Sequence, residues 1–284
     1  MAIIVQPLQE TELDAVDAVL KAAYNVSQSR KASLRLSLDV QPDGAYVAKE
    51  DETIVGFGAV LDYGPFAYIG LMAVYPTMQK RGVGRLLLER LLARTAQRGC
   101  PTVLLDASPA GTPLYQKCDF IETDKTLVMH RSRETIVPKS ASYSHITTSE
   151  FHDVAALVAF DAPLFGAERH AVLASYTHAY PGRVFVAQSD DGYMSGYLIA
   201  QKGVLGPWVA RTVEDAEQLL VAALTLSFES GPSVVVSAHH IHAIKLLERY
   251  GFVWQRELRH MYRGEPVQRG RETVLFGQAS LGLG

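Results

Sequence analysis

Apolar residues recur along the chain with the periods of helices and strands, and the two kinds of segment alternate. In the first helical segment they repeat every three or four positions, at Leu13, Val16, Val19, Leu20 and Ala23. The other segments of this half are predicted strands over 2–6, 46–49, 54–62, 67–75, 102–107 and 126–131 and helices over 83–98 and 112–118. Strands that precede and separate helices predict the α/β (α+β) fold class, with a mixed, mostly antiparallel sheet flanked by helices.

The chain contains this pattern twice. The predicted hairpin over 45–60, with its tight acidic turn, has a counterpart over 184–200. Near the end of each half, Pro113–Phe120 parallels Lys245–Phe252. Chance similarity of two hairpins is the alternative, but only a duplication also explains the length of the chain.

A chain of 284 residues is long enough for two domains of roughly 100–200 residues each. The stretch 130–144 is polar, contains proline and four serines, and has neither a helical nor a strand period. We therefore predict tandem domains over residues 1–137 and 138–284, with this stretch as the linker.

Composition and charge exclude several classes of protein. There are 27 Lys and Arg against 30 Asp and Glu, so the net charge of −3 argues against a general nucleic-acid binder. No apolar run approaches the ~20 residues that cross a bilayer, and the first residues lack a signal peptide's basic region. Two cysteines cannot form a disulfide framework, which favours a cytoplasmic protein.

The stretch that follows the predicted strand 67–75 carries the strongest chemical signal. Glycines at 82 and 84 open a long amphipathic helix, whose first amides lack intrahelical acceptors and carry partial positive charge. Lys80, Arg81 and Arg85 add formal charge beside those amides. Two glycines that merely relieve a tight turn are the alternative, but the strand, the cations and the helix together predict a pyrophosphate-binding loop.

This region resembles the GNAT N-acetyltransferase superfamily. The run Gln79-Lys-Arg-Gly82-Val-Gly84 resembles the acetyl-CoA signature Q/R-x-x-G-x-G/A, and Leu114-Tyr115 through Phe120 resembles the second signature, LYxxxGF. Asp119 departs from that pattern, because the family usually has glycine before the phenylalanine. The resemblance covers nearly all of residues 1–135 and implies transfer of an acetyl group from acetyl-CoA, as co-substrate, to a primary amine.

The resemblance also implies roles for individual residues. The backbone of three strand residues would pair with the pantetheine arm, namely Met72, Ala73 and Val74. The following loop would hold the pyrophosphate, through Gln79, Lys80, Arg81, Gly82, Val83, Gly84 and Arg85. Tyr115 would lie near the sulfur, where a phenol can donate a proton to the leaving thiolate; a ring that only packs is the alternative.

The amine must also lose a proton, and the sequence identifies no base for it. Side chains near predicted strand ends are candidates, but none has a distinguishing spacing: Asp62, Tyr63, Tyr68, Asp106 and Ser108. The acceptor is expected to be a small-molecule or peptide amine, which the sequence does not identify. The oligomeric state is equally open.

The second half has lost the features that would bind the cofactor. Where the phosphate loop would lie, Thr212 and Asp215 form a variant capping box, and acidic residues fill the first helical turn. Leu247 aligns with Tyr115. This half resembles the degenerate second domain of tandem GNAT proteins, which implies that it shapes the acceptor pocket or the contact between halves.

Three residues of the second half are candidates for contact with the acceptor: Asp161, Arg169 and Trp208. An ion pair at a helix end and a core indole are the alternatives. The cluster His239-His240-x-His242 has no Cys, Asp or Glu at ligand spacing beside it, so we expect no metal. The alternative to an enzyme is a non-catalytic acyl-CoA-binding or interaction scaffold of the same fold.

Overall fold

The computed structural model describes residues 2–135, 146–147 and 153–284 of the chain. The chain divides into two compact units. The first consists of Met1–Ile121, Met261–Pro266 and Leu283, and the second of Glu122–His260, Val267–Gly282 and Gly284. The domain boundary at residue 137 and most of the predicted linker lie outside the described residues, so that boundary stays a prediction.

The sheet of the first unit contains five strands from the N-terminal half of the chain. They are β1 (Ile3–Pro7), β2 (Ala45–Glu50), β3 (Thr53–Asp62), β4 (Ala67–Val74) and β5 (Thr102–Ala107). Their spatial order is the chain order, antiparallel from β1 to β4 and parallel between β4 and β5. A tight turn joins β2 to β3, where Asp51 takes a left-handed φ of 52°.

Helices cover both faces of this sheet. They are α1 (Leu13–Tyr24), α2 (Lys31–Val40), α3 (Val83–Gln97) and the short α4 (Thr112–Gln116). The apolar stripe of α1 packs with Val47 and Phe57 on one face, whereas Leu87 and Leu91 of α3 pack with Ile69 and neighbouring residues on the other. The sequence did not predict α2. Its apolar residues alternate with polar ones at Leu34, Leu36 and Leu38, and only Leu34 is buried.

A segment from the C-terminal part of the sequence belongs to the first unit. Within Met261–Pro266, Met261 is fully buried in the core beside α3. The Thr102 hydroxyl donates a hydrogen bond to the Glu265 carbonyl at 2.5 Å. The sequence did not predict that this segment packs in the first unit. Periodicity shows which face of a segment is apolar, but not which core that face joins.

The second unit repeats the plan of the first. Its strands are β6 (Ile121–His130), β7 (Ile146–Thr147), β8 (Val184–Gln188), β9 (Met194–Ala200), β10 (Leu205–Ala210), β11 (Ser233–Ser237), β12 (Val253–Gly264) and β13 (Leu275–Gly277). The last residues of β12, from Met261 on, belong to the first unit. Its helices are α5 (Val154–Phe165), α6 (His170–Ala179), α7 (Val213–Ala223) and α8 (Ile241–Arg249). Strands β13, β10, β9, β8 and β7 form one antiparallel sheet in that order, and β11 pairs with β6. The predicted fold class and the duplication are confirmed.

Candidate active site

Strand β4 carries a β-bulge in its second half. Ala59 faces Gly70 and Phe57 faces Ala73, so two residues of β4, Leu71 and Met72, lie opposite a single residue of β3. Leu71 has a φ of 55°, in the left-handed region that side chains other than glycine seldom adopt. A bulge bends its strand and ends regular pairing, so the course of β4 changes here.

Beyond Ile69, β4 and β5 separate. In the structure as described, they pair over three positions, from Ala67 with Val103 to Ile69 with Leu105. Both strands then continue, β4 to Val74 and β5 to Ala107. We call these diverging ends, residues 70–74 and 106–107, the β4–β5 fork. The three residues predicted to pair with pantetheine, Met72, Ala73 and Val74, all lie in it.

Two side chains from outside the fork donate hydrogen bonds to its backbone carbonyls. The Tyr24 hydroxyl, at the end of α1, donates to the Met72 carbonyl at 3.1 Å. The Gln79 amide nitrogen donates to the Val74 carbonyl at 3.2 Å. Gln79 therefore ties the loop after β4 to the end of that strand, an interaction that the sequence did not indicate.

The loop ends in a helix start without a side-chain cap. Lys80 and Gly82 both have positive φ angles, 61° and 86°. Gly82 is the N-cap of α3, and no side chain caps the helix there. The first intrahelical bond runs from the Leu86 amide to the Gly82 carbonyl, so the amides of Val83 to Arg85 have no acceptor inside the helix. A Cβ on Gly82 would meet no atom within 4 Å, so the surroundings of this N-cap are open.

The three predicted cations of the loop differ in their partners. Arg81 donates to the Glu50 carboxylate and Arg85 to the Glu89 carboxylate, both at 2.7 Å. Lys80 forms no ion pair with any described residue. Exposed pairs of this kind are worth little, about 0–1 kcal/mol, so the arginines can exchange partners at small cost. The loop thus presents Lys80, which has no ion pair with a described residue, and two arginines that can leave their carboxylates to bind another anion.

Tyr115 lies in α4, close to this helix start. Its neighbour Leu114 approaches Gly84, where an added Cβ would lie 3.3 Å from Leu114 Cδ2 and 3.6 Å from Val74 Cγ2. The Tyr115 ring packs edge-on against Phe120, with ring centroids 5.7 Å apart, and is 7% exposed. Burial raises the pKa of Tyr115, and the nearby Tyr24 phenol raises it further. The hydroxyl therefore keeps its proton at neutral pH.

The side chains considered as bases lie in different places. Asp62 and Tyr63 are at the turn that begins β4, the opposite end from the fork. Ser108 caps the turn into α4, where its hydroxyl accepts from the Gly111 amide at 3.2 Å. Tyr68 is fully buried and donates to the Asp106 carboxylate at 2.5 Å. Only this last pair lies where β4 and β5 begin to separate.

The corresponding fork in the second unit is filled by the chain itself. Strands β10 and β11 begin side by side at the parallel bridge Val204–Ser233. Strand β13 then pairs with β10 through Trp208 and Gly277, and the Gln278 amide donates to the Val235 carbonyl of β11 at 2.8 Å. Strand β13 thus bridges the second fork, whereas no described strand lies between the diverging ends of β4 and β5 in the first.

The start of α7 has the cap that the sequence predicted. The Thr212 hydroxyl accepts from the Asp215 amide at 3.0 Å and donates to the Asp215 carboxylate at 2.7 Å. Glu217 accepts from Arg249 and, at 2.7 Å, from the hydroxyl of Tyr250. Burial and this carboxylate raise the pKa of Tyr250 to about 12. Leu247, in the place of Tyr115, is a fully buried core residue.

Asp161 and Arg169 form a buried ion pair in the second unit. Arg169 donates to both Asp161 oxygens, at 2.7 and 2.8 Å, and the Tyr197 hydroxyl donates to Asp161 at 2.6 Å. Asp161 is 0% and Arg169 3% exposed. Trp208 is also fully buried, with its ring centroid 5.3 Å from that of Phe276. This geometry matches the structural alternative for each of them, and a role in acceptor binding stays a prediction.

The histidine cluster shows no metal-site geometry. His240 is fully buried and its Nδ1 accepts from the Ala243 amide at the start of α8. His239 lies beside Asp124 and Glu272, at 3.4 and 3.3 Å. Among the described residues, no group of three or more potential ligands could hold a metal ion. Nor does that part of the chain contain a helix of the length and apolarity that a membrane span requires.

Solved structures share this fold along nearly the whole chain. A protein from Pyrococcus horikoshii, provisionally described as an acetyltransferase, is 24% identical with a TM-score of 0.87, over 99% of this chain and 96% of that one. A GCN5-related N-acetyltransferase from Sphaerobacter thermophilus is 16% identical with a TM-score of 0.70, over 94% and 97%. A glucosamine N-acetyltransferase region of a fungal multi-domain GH3 β-N-acetylglucosaminidase is 16% identical with a TM-score of 0.69, over 92% of this chain and 38% of that one. Comparison with curated proteins gives no match.

Fold and site together define a protein of the acyltransferase class. Residues 13–120 match the model of the acetyltransferase (GNAT) family, and residues 157–277 match a second acetyltransferase (GNAT) domain. The two matches cover most of the chain, which therefore belongs to the GNAT acetyltransferase family in its tandem form.

Proposed function

We propose that the first unit transfers an acetyl group from acetyl-CoA to a primary amine. The observation that carries this proposal is the β4–β5 fork beside the uncapped start of α3. The fork offers backbone groups to an extended amide-containing chain, and the helix start offers amides and cations to a diphosphate. Acetyl-CoA combines both chemical features in one molecule and supplies the activated acetyl group.

The residues present fit such a ligand. The surroundings of Gly82 are open, and the oxygen atoms of a diphosphate would bind there to the amides of Val83, Gly84 and Arg85. Lys80, Arg81 and the side chain of Arg85 would balance its charge. Met72, Ala73 and Val74 would present their backbone to the pantetheine arm, while Gln79 holds the loop in place through the Val74 carbonyl.

Tyr115 would stabilise the sulfur as the thioester breaks. The amine nitrogen forms a bond to the acetyl carbon, the carbon–sulfur bond breaks, and the sulfur leaves with the electron pair. Full proton transfer from a phenol of pKa about 10 or more to a thiolate whose conjugate acid is near 8.5 is uphill by about 2 kcal/mol. Burial raises the pKa of Tyr115 and the pKa of a thiol in the same direction, so it does not by itself favour the transfer. Tyr115 therefore donates a hydrogen bond early and its proton late. The amine nitrogen loses one proton to solvent water, and that water returns one proton to Tyr115, so the protons balance.

The second unit would bind no cofactor in this scheme. Its fork contains β13, and the acidic first turn of α7 repels a diphosphate. The protein would therefore work with one cofactor site in each chain, in the first unit.

A thiol-release assay with acetyl-CoA and a panel of amines tests the proposal. The panel contains propylamine, lysine, spermidine and glucosamine, the last because one structural relative carries a glucosamine N-acetyltransferase region. We expect turnover with at least one amine. Replacement Tyr115→Phe should lower kcat by about 10²–10⁴-fold and leave the Kd of acetyl-CoA unchanged.

Tyr193→Phe provides the control, because Tyr193 is 74% exposed in the second unit. Binding of acetyl-CoA without turnover of any amine would favour the non-catalytic scaffold. Failure of the wild-type protein to bind acetyl-CoA in calorimetry would remove both interpretations.

A further inference from the structure

A groove lies in the first unit between the start of α1 and helix α2. It consists of two adjoining cavities with volumes of about 400 and 370 Å³, and both are lined by Glu10, Leu13 and Arg35. The larger cavity continues along α2 to Asp39 and Pro42. A cavity of this size holds a small organic molecule.

The groove is at the end of the sheet opposite the fork. Leu8, which lines the larger cavity, donates its amide to the Ala45 carbonyl at 3.0 Å, where β2 begins. The side-chain oxygen of Gln41, the residue after α2, accepts from the Asp62 amide at 2.7 Å, where β3 ends. The fork lies beyond Ile69, toward the other end of β4. The groove is therefore separate from the candidate active site.

The floor of the larger cavity is apolar. Leu8, Leu13 and Leu38 form it together with Pro42, and the three leucines belong to the hydrophobic cluster beneath α1 and α2. Leu8 and Leu13 are each 6% exposed, so the sheet and the helices already hold them in place. A ligand that fills this cavity therefore needs an apolar body.

One carboxylate on the rim of the groove lacks a counter-ion. Glu10 pairs with Arg35 across the groove at 3.4 Å, and Asp14 pairs with Lys31, whereas Asp39 forms no ion pair with any described residue. Asp39 lies in the last turn of α2, which contains no basic residue. Because the C-terminus of a helix carries partial negative charge, this turn favours a cation for a second reason.

We propose that the groove binds an amphiphilic cation, that is, a molecule with an apolar body and a primary ammonium group. The body would lie on the leucines, and the ammonium group would lie between the Asp39 carboxylate and the last carbonyls of α2. An alkyl ammonium with a pKa of about 10.4 is charged at neutral pH, as this position requires. A carboxylate would meet Asp39 with like charge, and Glu10 already pairs with the nearest cation, Arg35.

Three probes with the same six-carbon body test whether the groove recognises the charge: hexylammonium, 1-hexanol and hexanoate. Each is titrated into the intact ¹⁵N-labelled chain at pH 7 and followed by NMR. We expect hexylammonium to shift the amide signals of residues 8–13 and 35–42. Hexanol should bind about 2–5-fold more weakly, because it lacks the attraction to a carboxylate, and hexanoate more weakly still.

The replacement Asp39→Asn isolates the proposed counter-ion. We expect it to weaken hexylammonium binding about 2–5-fold and to leave hexanol binding unchanged. Asp51→Asn is the matched control, because Asp51 is another exposed aspartate without an ion pair to a described residue, and it lies at the β2–β3 turn. The control should bind all three probes as the wild-type protein does.

Several outcomes would overturn the inference. Equal affinity for hexylammonium and hexanol, or an equal loss of hexylammonium binding in both variants, would show that Asp39 does not recognise the ammonium group. Preference for hexanoate would assign the groove to anions instead. Absence of any shift at the groove would remove the site. Shifts confined to the β4–β5 fork would do the same, while agreeing with an amine site there, so the proposed function does not depend on this result.

Discussion

Asp119 and Gly251 end the corresponding short helices of the two halves in the same left-handed conformation, with φ angles of 64° and 79°. After each, the next amide closes the same turn: Phe120 donates to the Tyr115 carbonyl at 3.2 Å and Phe252 to the Leu247 carbonyl at 3.0 Å. Asp119, the departure from the family pattern, therefore leaves the turn after Tyr115 intact. Aspartate tolerates this conformation better than most residues, but glycine adopts it without strain.

We expect Asp119→Gly to stabilise the protein by about 0.5 kcal/mol. Relief of left-handed strain, about 1–2 kcal/mol, outweighs the extra freedom of glycine in the unfolded chain, about 0.4–1 kcal/mol. The reciprocal replacement Gly251→Asp should destabilise by more than this, because a Cβ there would lie 2.5 Å from Thr135 Cγ2. Urea unfolding of both variants measures the two changes, and a destabilised Asp119→Gly variant would contradict the argument.

The proposed phosphate loop depends on the backbone of Gly82. We expect Gly82→Val to weaken acetyl-CoA binding at least tenfold, because a β-branched residue resists a φ of 86° and turns the first amides of α3 away. Gly64→Val is the matched control, since Gly64 has a φ of 87° and equally open surroundings but lies at the β3–β4 turn. Calorimetry should find normal affinity in the control. Equal loss of affinity in both variants would point to general destabilisation.

The number of cofactor sites follows from the comparison of the two forks. The fork of the first unit is open beyond Ile69, whereas Trp208 and Gly277 pair across the fork of the second. Calorimetric titration with acetyl-CoA should therefore give about one site for each chain. A stoichiometry near two would show that the second unit also binds, against both its paired backbone and its acidic helix start.

The sequence predicted the order of strands and helices because strong apolar periods mark them. The strand Thr102–Ala107 has the predicted bounds, and α3 begins at Val83 as expected. The helix Lys31–Val40 was missed, since its leucines alternate with polar residues and so lack the three-to-four-residue spacing that marks the other helices. The sequence also did not predict that Met261–Pro266 packs in the first unit, because a local pattern does not show which distant segment it contacts.

The candidate site was also predicted only in part. Glycines and cations before a helix are visible in sequence, so the helix start beside Gly82 was predicted. The bulge at Leu71 and the bond from Tyr24 to the Met72 carbonyl were not, because they arise from register and from contact between distant segments. Nor did the sequence predict that β13 bridges the fork of the second unit, because this too depends on pairing between distant segments.

Stability in acid should depend on His240. Its burial lowers the pKa to about 4 in the folded protein, whereas the unfolded chain binds a proton near 6.5. Protons therefore favour the unfolded chain below about pH 6.5, and stability is lost as the pH falls toward 4, by about 2–3 kcal/mol at pH 4.5. His240→Asn keeps a side-chain acceptor for the Ala243 amide without this titration. Urea unfolding at pH 7.5 and 4.5 should show a smaller loss in the variant, and an identical loss would contradict the assignment.

Disruption of the Asp161–Arg169 pair separates its two possible roles. Asp161→Asn leaves the Arg169 guanidinium buried without its counter-ion, which we expect to cost about 3–5 kcal/mol. Glu257→Gln is the control, because it removes an exposed pair with Lys125, at 44% and 50% exposure, and should cost about 0–1 kcal/mol. Amine KM is measured in each variant under conditions where it remains folded. A large loss of stability with unchanged KM identifies a structural ion pair, whereas a raised amine KM with little loss of stability would assign Asp161 to the acceptor pocket.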